Sequence, residues 1–99
     1  MQAIQKESLI NTLGQLKDEI IQRYHTEILG LFGSVARGEP RPGSDIDILI
    51  DFRSEATIID WIALEDFLEE QLQTKVDLVP ADALKVEMNE YIQRDLIRL

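Results

Sequence analysis

Two aspartates separated by one residue, Asp45 and Asp47, stand at the start of the clearest predicted strand, Ile46 to Phe52. Side chains at positions i and i+2 of a strand point to the same face, with their α-carbons about 6.6 Å apart. Two carboxylates placed in this way repel each other unless a cation lies between them. Mg²⁺ suits such a pair, because it binds through one or two carboxylates together with substrate phosphates. Two Mg²⁺ ions about 3.5–4 Å apart can bridge the attacking and leaving oxygens of an in-line displacement at phosphorus.

A glycine-serine pair, Gly33-Ser34, ends the preceding predicted strand and leads into a predicted helical turn over residues 35–38. A strand that ends in glycine before a helical turn presents free backbone N–H groups, which can bind phosphate. Gly33 allows a phosphate to approach the backbone, Ser34 adds a hydroxyl, and Arg37 adds a guanidinium fork for phosphate oxygens. No Gly-Lys-Ser/Thr follows at the required spacing, so this is not a Walker A loop.

Each of these features also has an ordinary structural explanation. A glycine-serine pair is usually a turn, Arg37 could be a surface charge, and Asp45 and Asp47 could be a turn residue and a solvated strand residue. Taken together, these explanations account poorly for two acids on one face of the most apolar strand beside a glycine-serine turn. We therefore favour the interpretation as a phosphate and metal site.

The chain carries Gly33-Ser34, then ten further residues, and then Asp45-Ile46-Asp47. This pattern resembles the Gly-Ser-x10-Asp-x-Asp signature of the DNA polymerase beta nucleotidyltransferase superfamily. Two segments resemble those of the minimal nucleotidyltransferases: Gly-Ser-Val-Ala-Arg-Gly and Gly-Ser-Asp-Ile-Asp-Ile-Leu-Ile. Proteins of that family are antitoxins encoded beside HEPN-type RNase toxins. The resemblance covers nearly the whole chain. The family carries a third acid on the next strand, and Asp77 is the matching position, although its own surroundings indicate only a solvated strand residue.

The resemblance implies that Asp45 and Asp47 hold the metals and the triphosphate, whereas Asp77 helps to hold a metal and activates the acceptor hydroxyl. It further implies an enzyme that uses ATP and two Mg²⁺ ions to transfer AMP to a hydroxyl of a HEPN toxin, with tyrosine as the expected acceptor. Two alternatives remain open: transfer to a small molecule or an RNA end, and a binding antitoxin without catalysis. The missing acceptor domain disfavours the former, and the three intact acids disfavour the latter.

Other polar residues are weaker candidates. Arg41 is a possible second phosphate contact, Asp51 is expected to be structural, and His25 is expected to be solvated at a helix end. Trp61 is expected in the core. Four acids of the predicted third helical segment form either a solvated face or a partner-binding surface: Glu65, Asp66, Glu69 and Glu70.

The composition limits the function further. The chain has 99 residues, which predicts a single domain over residues 1–99. The absence of cysteine excludes thiolate metal sites, thiol nucleophiles and disulfides, and a single histidine makes a histidine zinc site improbable. A net charge of −9 argues against extensive nucleic-acid binding but suits a basic protein partner. No apolar run approaches the roughly 20 residues of a membrane span, and the N-terminus does not resemble a signal peptide, so we expect a cytoplasmic protein.

Hydrophobic periodicity predicts the elements that must position these residues. Helices are predicted over residues 2–24, 57–72 and 82–99, and strands over residues 27–32, 46–52 and 75–79. Thr57 with Asp60 indicates a capping box at the start of the middle helix. A core stripe is predicted in this helix at Trp61, Leu64, Leu68 and Leu72. The element order predicts a three-stranded sheet with helices packed mainly on one face and the other face partly open. The resemblance implies the α+β nucleotidyltransferase fold, with a small mixed sheet of three or four strands. The face that carries Asp45 and Asp47 should lie near water, because buried carboxylates are costly.

Overall fold

The computed structural model describes residues 6–39, 45–83 and 86–99. Its helices and strands alternate along most of the chain, as the hydrophobic pattern predicts. In chain order they are α1 (Lys6–Tyr24), β1 (Thr26–Phe32), α2 (Gly33–Ala36), β2 (Ile46–Phe52), α3 (Ile58–Leu72), β3 (Val76–Pro80), a 3₁₀ turn (Ala81–Ala83), α4 (Val86–Asp95) and β4 (Ile97–Arg98).

In the described part of the chain the strands form one mixed sheet in the order β3-β2-β1-β4. β1 is antiparallel to both β2 and β4, whereas β2 and β3 are parallel. A parallel pair needs a long crossover connection, and α3 provides it. This topology brings the end of β1 and the starts of β2 and β3 to the same end of the sheet. The glycine-serine pair and the aspartates of the sequence lie there.

One face of the sheet is covered by α1 and α3 and carries the main hydrophobic core. β-Branched and leucine side chains fill it, because every second residue of β2 and the apolar stripes of the two helices point inwards. The fully buried aliphatic residues of this core are Leu13, Ile20, Ile28, Leu31, Val35, Ile46, Ile48, Ile50, Leu64 and Leu68.

The crossover helix α3 begins with the predicted capping box. The hydroxyl of Thr57 accepts a hydrogen bond from the backbone N–H of Asp60, and the carboxylate of Asp60 accepts one from the backbone N–H of Thr57. Such a cap stabilises a helix by about 1 kcal/mol. Leu64 and Leu68 are fully buried, and Trp61 packs against the core with its ring centroid 5.1 Å from that of Phe52. The predicted core stripe of this helix is confirmed.

The second face of the sheet is covered only in part. Leu49, Gln93 and Leu96 line a cavity of about 260 Å³ there, together with residues of β1 and β4. β4 passes so close to Gly30 that a Cβ at this position would collide with the carbonyl oxygen of Ile97 and lie 2.7 Å from Leu96 Cδ1. The expected arrangement of helices mainly on one face, with the other face partly open, is confirmed.

The predicted helix over residues 82–99 is wrong at its C-terminal end. α4 ends at Asp95, and the chain then forms β4 against the edge of β1. The backbone N–H of Leu99 donates to the carbonyl of Leu29 at 3.1 Å. A helical continuation would leave this edge of β1 without those backbone hydrogen bonds, and no local pattern could reveal that the edge was available.

The boundaries of the predicted third strand also differ slightly. The strand was expected to stop before Pro80, but Pro80 is its last residue and pairs with Ile50. Proline is tolerated at the end of an edge strand because its missing N–H removes no central ladder bond. Residues 2–5 of the predicted first helix, Arg41, and Ser44 of the motif lie outside the described residues. None of the helices in the described part of the chain is long and apolar enough to cross a membrane.

Candidate active site

Residues of three neighbouring strands form a row across the sheet, near the end of β1 and the starts of β2 and β3. Phe32 at the end of β1 pairs with Asp47 of β2, which in turn pairs with Asp77 of β3. Paired residues of neighbouring strands share a face and lie about 5 Å apart. The carboxylates of Asp47 and Asp77 therefore emerge side by side on the face opposite to α1 and α3. Asp47 is half-buried, whereas Asp77 is exposed.

Asp45 precedes β2 directly and is exposed. Its carboxylate is near enough to Asp47 to raise the pKa of that residue. The expectation that this face of the strand lies near water is thus confirmed for both aspartates. Asp51 lies on the same face of β2 but is exposed and pairs with Glu27, far along the strand from Asp47.

Gly33 is required by two features of this site. Its φ of +79° lies in the left-handed region that side chains rarely adopt. A Cβ on Gly33 would collide with Oδ2 of Asp47 and lie 3.0 Å from its Cγ. The sequence interpretation assigned the space at this glycine to an approaching phosphate. In the structure the carboxylate of Asp47 occupies it, so the start of α2 and the central acid of the site are in direct contact.

Burial and the two neighbouring acids disfavour the ionisation of Asp47. Burial, followed by the charges of Asp77 and Asp45, raises the pKa of Asp47 from 3.8 to about 6, and Arg37 opposes the shift. Desolvation and like charges both penalise the charged form of a carboxyl group. A cation bound between these groups would remove the penalty, so the electrostatics of the metal-free site favour cation binding.

The donor set fits Mg²⁺ in its chemistry. Three carboxylates offer the hard oxygen ligands that this ion prefers, and Mg²⁺ usually takes its remaining ligands from water and substrate phosphates. Among residues 6–39, 45–83 and 86–99, no three histidine, cysteine, aspartate or glutamate side chains are arranged so that they could hold a metal by themselves. Asp47 and Asp77, with Asp45 beside them, are the residues that would share such an ion with a triphosphate.

The phosphate-binding turn predicted from Gly33-Ser34 is the short helix α2. Carbonyl oxygens of its first residues accept hydrogen bonds from the backbone N–H groups of residues 37–39. The N–H groups of its first turn have no partner within the helix, as at any helix start. Ser34 is half-buried at this end, next to Gly33. The turn thus presents donors beside Asp47, as the sequence pattern predicts.

Arg37 follows α2 and binds a residue that sequence reasoning did not identify. Its Nη1 donates to Oδ2 of Asp95 at 2.8 Å, and its Nε lies 3.6 Å from Oε2 of Glu39. The hydrogen bond to Asp95 is the main reason that the pKa of Arg37 is raised. Asp95 is the last residue of α4 and lies 58 positions after Arg37. In the sequence it is only one acid among many. The contact links the end of α2, the predicted phosphate-binding turn, to α4.

Two acids of α3 lie near the start of β3. Oε2 of Glu69 accepts a hydrogen bond from the backbone N–H of Val76 at 3.1 Å. The pKa of Glu65 is raised by burial first and then by neighbouring acids, among them Asp77. These contacts connect α3 to the strand that carries Asp77.

His25 follows α1, and its side chain is 41% exposed, as expected for a solvated residue at a helix end. Its Nδ1 lies 3.4 Å from Oδ2 of Asp60.

Comparison with known proteins places this geometry in a family. Residues 13–99 match the model of the nucleotidyltransferase domain. The chain is 35% identical over 91 residues to the protein adenylyltransferase MntA of Thermococcus cleftensis, an alignment that covers 92% of each protein. Its fold superimposes on a solved structure described as a minimal nucleotidyltransferase with a TM-score of 0.81 and 32% identity, covering 97% of both chains.

A more distant likeness concerns the fold alone. A toxin-antitoxin crystal structure with AMP-PNP matches with a TM-score of 0.67 at 21% identity, covering 96% of this chain and 72% of that one. The family model and the MntA relative each cover most of the chain, and the glycine-serine turn beside paired aspartates is the arrangement that the sequence resemblance implied. This chain belongs to the nucleotidyltransferase domain family.

Proposed function

We propose that this protein is an antitoxin that transfers AMP from ATP to a hydroxyl group of a partner toxin. The observation that carries the proposal is the row formed by Asp47 and Asp77, with Gly33 packed directly against the carboxylate of Asp47. This row places two acids on adjacent strands beside the N–H groups of α2. The arrangement suits a bound triphosphate whose α-phosphorus lies near an exposed acid.

The transfer assigns metal binding to all three acids and a second role to Asp77. Asp45, Asp47 and Asp77 would hold Mg²⁺, which supplies charge neutralisation for the triphosphate when bound. The acceptor oxygen attacks the α-phosphorus, the bond from that phosphorus to the bridging oxygen breaks, and pyrophosphate leaves. The resemblance assigns the proton of the acceptor hydroxyl to Asp77, and the exposure of Asp77 allows an incoming protein to reach it, whereas Asp47 is half-buried.

The non-reacting phosphates are assigned to α2 and the residue that follows it. Backbone N–H groups at Gly33 and Ser34, with the serine hydroxyl, would bind phosphate oxygens, and the guanidinium of Arg37 would add a charged donor. Arg37 is near enough to Asp47 to oppose the rise of its pKa. The guanidinium therefore lies within electrostatic reach of the site in which the triphosphate is proposed to bind.

The relatives support a protein as the acceptor. The MntA relative is named a protein adenylyltransferase, and a structure of the same fold is a toxin-antitoxin complex. We infer that the acceptor is a toxin of the HEPN type and that the modified group is a tyrosine hydroxyl. A minimal single domain of this kind, acting in the cytoplasm, would take its acceptor specificity from the partner. A net charge of −9 suits a basic protein surface and disfavours an RNA acceptor.

Label transfer tests the reaction. The protein is incubated with Mg²⁺ and the HEPN-type toxin proposed as its partner, with ATP labelled at either the α- or the γ-phosphate. We expect the α-label to appear on a tyrosine of the partner, with a mass increase that corresponds to one or more AMP groups. Transfer of the γ-label would indicate a kinase and contradict the proposal. Neutralisation of the toxin without any label would instead indicate an antitoxin that acts by binding alone.

A second expected result concerns Asp95. If Asp95 holds Arg37 for the triphosphate, Asp95→Ala should weaken ATP binding about 3- to 10-fold, since Arg37 then loses its restraint. Stability should change little, because the pair is partly exposed. If the loss of a negative charge were the only effect, Asp95→Ala would instead strengthen ATP binding. A positioning role and a purely electrostatic role of Asp95 therefore predict opposite changes in the affinity for ATP. Isothermal titration calorimetry with Mg²⁺ and a non-hydrolysable ATP analogue measures the difference.

Glu39→Ala is the matched control for this prediction. Glu39 also faces Arg37 but at 3.6 Å and with 71% of its side chain exposed, so its removal should change ATP binding less than 2-fold. Tighter binding in Asp95→Ala would show that Asp95 competes with the phosphates for Arg37 and would contradict the positioning role.

A further inference from the structure

The outer side of α3 exposes three isoleucines near its start. Ile58, Ile59 and Ile62 are 67%, 73% and 58% exposed. Among the described residues only Tyr91 is a further large hydrophobic side chain with comparable exposure. Isolated exposed apolar residues are normal, but three branched side chains within two turns form a patch, and such patches mark sites of protein interaction.

The same side of α3 becomes acidic towards its end. At 100° per residue, Asp66 and Glu70 project in nearly the same direction as Ile59 and Ile62, and both are exposed. We call these five residues, Ile58, Ile59, Ile62, Asp66 and Glu70, the outer face of α3. The core stripe of the helix lies on the other side, so none of the five is needed to cover the sheet.

The acidic end of this face lies at the same end of the sheet as the candidate active site, although Asp77 projects from the opposite face of the sheet. Glu69 lies one position before Glu70 and accepts a hydrogen bond from the backbone N–H of Val76, directly before Asp77. The charge of Asp77 also acts on Glu65, one position before Asp66. Because β3 is an edge strand, a protein that lies along the outer face can reach Asp77 by passing around β3.

We propose that the outer face of α3 is the docking surface for the protein acceptor, and that the acceptor presents an apolar patch beside a cluster of lysines or arginines. The inference rests on the proposed function, since it identifies the surface by which that acceptor is held. The apolar part matches the isoleucines, and the basic cluster matches Asp66 and Glu70. The active site then receives a hydroxyl from a segment beyond the basic cluster that passes around β3.

Charge complementarity favours this occupant over a second copy of the chain. A second copy would bring the same carboxylates and a further net charge of −9 to the contact, and like charges oppose such an association. A basic partner is attracted by the same charges, which also increase its rate of association. The capping box and the buried stripe hold α3 rigidly, so the face is presented without rearrangement.

The test measures binding without catalysis. The dissociation constant of the full chain for the HEPN-type toxin proposed as its partner is determined by calorimetry in EDTA without ATP. The variants are Ile58→Ser/Ile62→Ser and Asp66→Lys/Glu70→Lys, whose positions are exposed and whose folding is checked by circular dichroism. We expect each double variant to bind at least 30-fold more weakly. In transfer assays their KM for the partner should rise, whereas kcat should approach that of the unmodified chain at saturating partner.

The matched control reverses the same number of charges on another helix. Glu7→Lys/Asp18→Lys alters two exposed acids of α1, and its binding should change less than 3-fold. An equal loss in the control would show that only the total charge matters and would overturn the proposal. The proposal is also overturned if the unmodified chain does not bind the partner. A homodimer of the unmodified chain in ultracentrifugation that is lost in Ile58→Ser/Ile62→Ser would overturn it as well. Binding through α3 without label transfer would leave the docking surface intact and refute the proposed reaction alone.

Discussion

Asp47→Asn is expected to abolish nucleotidyl transfer while leaving the metal-free protein as stable as before or slightly more stable. The amide keeps the shape of the carboxylate beside Gly33 but removes the charge that would hold Mg²⁺ and the triphosphate. Loss of a metal ligand of this kind costs several kcal/mol of transition-state stabilisation, which corresponds to a rate reduction of about 1000-fold or more. The Mg²⁺-dependent part of the thermal stabilisation by ATP should disappear as well.

The effect of Asp47→Asn on the stability of the metal-free protein depends on pH, because the replacement removes a carboxyl group whose pKa differs between the folded and the unfolded state. Burial and the neighbouring aspartates raise the pKa of Asp47 from 3.8 to about 6, so the folded protein binds this proton more tightly than the unfolded chain does. The penalty is therefore absent below pH 4, grows as the pH rises towards 6, and is complete above about pH 7. Because Asp47 is only half-buried, screening by water limits the penalty to roughly 1 kcal/mol. Asp47→Asn should remove it at pH 8 and change little at pH 4.

Thermal melts in EDTA at pH 4 and pH 8, followed by melts with Mg²⁺ and ATP, measure both effects. Asp51→Asn is the matched control, because Asp51 lies on the same strand and face but is exposed and distant from Asp77. It should leave activity and the ATP-dependent shift unchanged. If Asp47 were a structural acceptor of backbone hydrogen bonds, its replacement would cost about 1–3 kcal/mol in EDTA. Such a loss, with activity surviving in the folded fraction, would contradict the catalytic assignment.

Gly33→Ala should reduce transfer by about 100-fold or more even though it adds only a methyl group. The new Cβ would occupy the position of the Asp47 carboxylate, so that either the acid or the start of α2 must move. A displacement of about 1 Å in a catalytic group can cost 100-fold in rate. An alanine at a φ of +79° is also strained by about 1–2 kcal/mol.

Gly38→Ala separates backbone strain from the displacement of Asp47. Gly38 has a similar φ of +76°, but an added Cβ there would meet no atom of the described residues within 4 Å. Both variants should therefore lose stability in urea unfolding, whereas only Gly33→Ala should lose most of its activity. Similar activities in the two variants would show that the contact between Gly33 and Asp47 is not needed for transfer.

The sequence alone predicted the parts of this protein that depend on residues close together in the chain. The alternation of isoleucine and aspartate in β2, the capping box of Thr57 and Asp60, and the stripe of Leu64 and Leu68 are local patterns. Each follows from the geometry of a single strand or helix, in which neighbours a few positions apart determine burial and hydrogen bonding. The spacing of Gly33-Ser34 from Asp45 and Asp47 was sufficient to indicate the family for the same reason, since the motif lies within one short segment.

Only the tertiary structure decided which distant residues meet. The parallel register of β2 and β3 places Asp77 beside Asp47, and a shift by one residue would have turned Asp77 to the other face. The pairing of Arg37 with Asp95, the formation of β4 in place of a longer helix, and the contact of Gly33 with Asp47 likewise depend on how separate elements pack. Such contacts are set by the packing of buried side chains across the whole core, which couples residues far apart in sequence and leaves no periodic signal in the chain.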